Sequence, residues 1–209
     1  MPEEPRWERV LKGRLLSVLL FLAWGGLTVY RALPLFSHFA ITEFFWVLYN
    51  GTISVLFLIR VRPTTVSMRP EHYFVALGTV FCGWFFEPIL MERGWARKFL
   101  SWSLIYGGFA MSAYATATLG RSYDLFPAVR RIKTRRLYAR IRHPMYAASM
   151  LIRVGYVIRN PVVFNFVLLL PVLGLYWLRA KYEESILRED PTYREYARTV
   201  RYRFIPGLT

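Results

Sequence analysis

Long apolar runs separated by short basic loops constrain this chain more than any other feature. Runs at about 14–36, 41–60, 71–91 and 99–119 each approach the ~20 residues that a helix needs to cross the hydrocarbon core. A further apolar stretch extends from Met145 to Leu178 and is interrupted at Arg159-Asn160-Pro161. Backbone in lipid must satisfy its own hydrogen bonds, so these segments are read as helices. The last stretch is too long for one untilted crossing, and its interruption leaves arms of about 21 and 27 Å at the helical rise. The expected fold is an all-α polytopic membrane protein with about six transmembrane segments. The last two form a helical hairpin, and a cytoplasmic helical cap follows at the C-terminal end.

Charge supports that reading. The chain carries a net charge of +15, yet its 28 Lys and Arg residues are not spread evenly. Twenty-two fall at the start, between the second and third runs, at 120–144 and after Leu178. The alternate loops hold four: Arg93, Arg97, Lys98 and Arg159. Such asymmetry predicts an integral membrane protein with cytoplasmic N- and C-termini. The basic residues border apolar spans, so their partner is the membrane surface, and no nucleic-acid partner is expected. Cys82 is the only cysteine, which excludes an internal disulfide and a thiolate metal cluster, and no metal site is expected. The first run is too long for a signal-peptide core and reads as a retained span. Arg31 lies near its far end, where a long side chain reaches the interface. Trp24, Trp46, Trp84, Trp95 and Trp102 stand within or beside spans, and those near the ends fit interfacial anchors.

Three polar segments interrupt this pattern. "RIRHPMY", Arg140–Tyr146, opens the hairpin, with Pro144 suited to a first helical position and His143 just before it. The segment is either an interface-anchored helix start or, with Arg142, His143 and free N–H groups, a site for an anion such as a carboxylate. "RAKYEES" closes the hairpin. Arg179 and Glu183 are four residues apart and fit an intrahelical ion pair. Adjacent Glu183 and Glu184 oppose the helix dipole and call for a cation, from neighbouring Arg residues or from a ligand. The ending, "YREYARTVRYRFIPGL", fits either an amphipathic surface helix or a lid over the hairpin's mouth. Asp190-Pro191 marks a helix start there.

The order "LGRSYDLFPAV…YARIRHPMY", hairpin, "RAKYEESIL", "YREYARTVRYRFIPG" resembles the integral-membrane methyltransferases related to isoprenylcysteine carboxyl methyltransferase, with the phospholipid methyltransferases as wider kin. The resemblance covers about 117–208 and implies a division into N-terminal transmembrane helices (1–116) and a methyltransferase catalytic region (117–209). It implies S-adenosylmethionine (SAM) as cofactor, bound by Tyr138, His143, Pro144, Tyr146, Glu183 and Glu184, and the charge of Arg142 at the helix start makes it a further expected cofactor contact. It also implies Arg179 and Glu184 as catalytic residues, Arg179 orienting the acceptor near the methyl group. Arg153 and Arg179 are expected to meet the substrate, a lipid or lipophilic small molecule entering from the bilayer. If the acceptor must lose a proton, Glu184 or Tyr146 is the candidate base. The family's usual Gly-Pro-Tyr is here Arg136-Leu137-Tyr138. The closing Arg-x-Ile-Pro also resembles membrane sterol and polyprenoid reductases, which makes an NADPH-dependent reductase the rival enzyme. A non-catalytic membrane lipid-binding protein is the third reading.

Overall fold

The computed structural model describes residues 14–33, 41–67, 69–86 and 94–208, without the side chains of Arg31, Thr42, Glu43 and Trp84. The anchoring expected of Arg31 and Trp84 therefore lies outside what is described. Seven α-helices are present among these residues: α1 (Arg14–Ala32), α2 (Ile41–Ile59), α3 (Pro70–Phe81), α4 (Trp95–Leu119), α5 (Pro144–Arg159), α6 (Val163–Leu187) and α7 (Pro191–Thr199). The all-α expectation omitted one small element. Two-residue strands β1 (Thr65–Val66) and β2 (Ala128–Val129) pair antiparallel and join the loop after α2 to the segment after α4. They are too short to leave a hydropathy signal.

Among the described residues, α6 is the one helix both long and apolar enough to cross a bilayer; Arg14–Tyr30 and Phe44–Ile59 are shorter apolar helices. Large apolar side chains face outward around the molecule, among them Leu22, Val29, Phe74, Phe99, Val167 and Leu170. Such a surface is suited to acyl chains.

Helix ends follow local chemistry. Pro144 opens α5 with His143 as its N-cap, and Pro191 opens α7, where the Asp190 side chain accepts from the Thr192 N–H at 2.7 Å. The hairpin turns where the sequence predicts, between Arg159 and Val163. There the Asn165 side-chain amide donates to the Asn160 carbonyl at 2.9 Å. The third run, expected to reach residue 91, stops being α-helical at Phe81. A 3₁₀ turn (Cys82–Phe85) then delivers Phe86 into a cluster with Val157, Val172 and Tyr176. The remainder of that run, 87–91, lies outside the described residues. In the other direction, α6 runs nine residues past Leu178 and carries its polar end as uninterrupted helix.

The closest helix contact joins α4 to α5. A Cβ added at Gly108 would come 2.5 Å from Ile152 Cγ1 and 3.0 Å from the Ala148 carbonyl oxygen. One added at Gly155 would meet Leu104 Cβ at 2.9 Å and the Ser101 carbonyl oxygen at 3.0 Å. Glycines on both helices therefore permit backbone approach, the usual device of helix packing in lipid.

Candidate active site

The start of α5 and the end of α6 are neighbours because the hairpin is antiparallel, and the C-terminal segment crosses both. The Arg142 N–H donates to the Tyr202 carbonyl and the His143 N–H to the Arg203 carbonyl, each at 2.9 Å. Arg142 Nη1 donates to the carbonyls of Val200 and Arg201 at 2.8 Å. The Tyr196 hydroxyl donates to the Tyr138 carbonyl at 2.7 Å. Tyr193 and Tyr196 are buried, so α7 is a cover for the hairpin mouth with an exposed outer face. Burial pushes the hydroxyls of Tyr138, Tyr193 and Tyr196 well above the ordinary tyrosine range, keeping them neutral donors.

Glu183 and Glu184 have opposite surroundings. Glu184 is 2% exposed. Its Oε1 accepts from Arg142 Nε at 2.9 Å and Arg203 Nε at 3.2 Å, and lies 3.1 Å from His143 Nε2. Its Oε2 accepts from Arg203 Nη2 at 3.1 Å and lies 3.6 Å from Arg188 Nη2. Four basic side chains thus enclose one carboxylate. Glu183, with its side chain 29% exposed, borders the cavity and accepts from the Tyr146 hydroxyl at 2.6 Å. The His143 and Tyr146 rings stack with centres 5.3 Å apart, so one aromatic pair serves both carboxylates.

Arg179 does not form the expected pair with Glu183. Its Nη1 donates to Thr79 Oγ1 and its Nη2 to the Leu125 carbonyl, both at 2.6 Å, and its guanidinium lies over the Tyr146 ring at 4.9 Å. Its Nε is buried without a partner. Neither Thr79 nor the Leu125 carbonyl was predicted: a threonine inside an apolar run and a backbone oxygen carry no sequence signal. Asp124, the neighbour of Leu125, does carry one, being the only acidic residue between Glu92 and Glu183. It receives Arg60 Nη1 at 2.5 Å and also Arg130, while Arg60 Nε donates to Ser17 at 2.8 Å. This buried triad ties α1 and α2 to the segment that holds Arg179.

A cavity of about 920 Å³ adjoins these groups. Tyr138, Arg142, His143, Tyr146, Arg179 and Glu183 border it, as does Arg153 deeper in the hairpin. Pro144 and Glu184 stand behind its wall. The cavity continues between apolar side chains of α1, α2 and α4, including Trp24, Trp46 and Phe109.

The Arg136-Leu137 departure also finds a place. Arg136 has φ 61°, the left-handed region that a glycine occupies without strain, and its guanidinium lies 5.4 Å from the centre of the Tyr114 ring. Arg136 thus holds a backbone conformation better suited to glycine.

Residues 96–193 match the model of the phospholipid methyltransferase family. That family groups with the isoprenylcysteine-type membrane methyltransferases, uses SAM and implies a phospholipid acceptor. The match begins within α4, the helix locked to α5 through Gly108 and Gly155, and favours methyl transfer over the reductase reading. No curated protein matches the chain.

Proposed function

We propose that this protein transfers a methyl group from SAM to the polar end of a phospholipid at the cytoplasmic membrane face, within a bundle of about six spans. The observation that carries the reading is a continuous cavity. It joins a donor-rich helix start and a partly exposed carboxylate to an interior lined with apolar side chains. A water-soluble cofactor suits the first end and acyl chains suit the second. The charge asymmetry of the loops supports a cytoplasmic site.

The residues present fit SAM. The N–H groups of Met145 and Tyr146 lie in the first turn of α5, where no intrahelical partner exists, and with Arg142 and His143 they would receive a carboxylate. Glu183 offers a counter-charge for an ammonium or an acceptor for ribose hydroxyls. Tyr193 borders the cavity with a buried hydroxyl that has no partner, a further donor for a ligand. When bound, SAM supplies an electrophilic methyl on a sulfonium.

The chain's own work is alignment, the main requirement of a direct displacement. Arg179, fixed by Thr79 and Leu125, presents its unpartnered Nε as the group that orients the acceptor. Glu184 positions Arg142, His143 and Arg203, and does not touch a ligand itself. Where the acceptor is an amine, Glu183 with Tyr146 at 2.6 Å is the pair able to take its proton.

Isothermal titration of the purified protein in nanodiscs, together with labelled SAM and host membranes, tests the reading. SAM binding and a labelled phospholipid are expected. Absence of SAM binding to folded protein would overturn it.

A further inference from the structure

Arg153 lies seven residues beyond Tyr146 on α5, so two helical turns return it to nearly the same face, about 10 Å farther into the hairpin. Both border the same cavity. Its Nε is buried and makes no hydrogen bond, and its guanidinium lies 5.8 Å from the centre of the Phe86 ring. No Asp or Glu among the described residues forms an ion pair with it. Phe86 itself packs among Val157, Val172 and Tyr176, so this part of the wall is largely apolar. A cation at such depth calls for an opposite charge, and an aromatic face alone does not neutralise it.

We infer that Arg153 receives the phosphate of the acceptor lipid, on the acyl-chain side of the atom that is methylated. A guanidinium matches phosphate oxygens in geometry as well as charge. Tyr146, Glu183 and Arg179 mark the level of transfer, and Arg153 stands beyond them toward the apolar interior. A lipid lying along this path places its methyl-accepting atom first, its phosphate second and its acyl chains last. Arg153 thereby selects lipids whose reactive group terminates a phosphate-linked headgroup. The inference rests on the methyltransfer reading for its direction, but the phosphate contact is measurable without turnover.

The test compares binding of dioleoyl phosphatidylethanolamine with that of a phosphate-free dioleoyl lipid bearing the same ethanolamine through a carbamate. Microscale thermophoresis on the full chain in detergent gives both affinities, for wild type, Arg153→Lys, Arg153→Met and Arg153→Gln. Wild type is expected to favour the phospholipid by about 10-fold or more, the range of a charge-assisted hydrogen bond. Arg153→Met and Arg153→Gln abolish that preference and leave SAM affinity within about 2-fold, a change worth less than 0.5 kcal/mol. Arg153→Lys keeps part of the preference. The Met variant retains an apolar stem against Phe86, so it carries the test if the Gln variant fails to fold. An unchanged preference in the variants, or equal loss for both lipids, overturns the inference. Wild type that shows the preference but binds no SAM refutes the proposed function and leaves the phosphate contact standing.

Discussion

Along the facing sides of α1 and α2, neutral side chains hydrogen-bond across the contact, Trp24 Nε1 donating to Asn50 at 2.9 Å and Ser54 to the Phe21 carbonyl at 3.0 Å; Arg60, just past α2, adds a charged donor to Ser17 at 2.8 Å. Where the α5–α6 hairpin meets the C-terminal segment, one buried carboxylate is shared among Arg142, His143, Arg188 and Arg203. The first contact can lose a member at small cost, because a neutral group left behind is cheap to solvate or repack. The second cannot, because three guanidiniums gathered around Glu184 would repel one another and that of Arg142 is largely buried. The lesson is a division of labour: the N-terminal pair forms a wall, while the hairpin and its cover are drawn together by charge into a preorganised site.

The sharpest way to break this comparison is Glu184→Gln. Removing the charge from a buried network of this kind costs about 3–5 kcal/mol. The expected result is a large fall in thermal midpoint in detergent and faster proteolysis within 188–203. A melting curve like that of wild type would show that α7 is held by its tyrosines instead. Gly155→Val should come next, losing about 1–3 kcal/mol by overpacking against Leu104 and Ser101. Its thermal midpoint measures how far the α4–α5 contact supports the site.

Glu183→Gln sharpens the contrast between adjacent glutamates. SAM affinity should fall about 10-fold or more by titration, the usual weight of one charge-assisted contact, while the melting point stays near wild type. Equal effects of the two Gln variants on stability would erase the distinction drawn here. On the neutral side, Ser54→Ala should cost about 1 kcal/mol and leave SAM binding unchanged. The smallest effect is a gain: Arg136→Gly relieves a left-handed backbone, worth up to about 1 kcal/mol after loss of the Tyr114 contact. Its sign, read from the thermal midpoint, tells whether Arg136 is kept for stability or despite it.

Much of the frame was legible before the structure. Pro144 and Asp190-Pro191 announced helix starts, because proline is tolerated where an N–H is unpaired anyway. Arg159-Asn160-Pro161 announced the hairpin turn, because a proline cannot continue the helix before it. Tyr146 and Glu183 were named as site residues, and the fold brings them to hydrogen-bond distance. Other features were invisible. The strand pair is two residues long, and the change from α to 3₁₀ helix after Phe81 leaves no mark in the hydropathy. The anchors of Arg179 are a threonine and a carbonyl more than fifty residues away in the chain.

By itself the sequence determined the helical class, the basic edge and the residue types that meet there, since periodicity, proline and charge act locally. Only the tertiary structure decided which of two adjacent glutamates faces the cavity. Helical geometry rotates neighbours by about 100°, and what each then meets depends on segments distant in the chain. Arg203, folded back across the hairpin mouth, claims Glu184 and leaves Glu183 to the cavity.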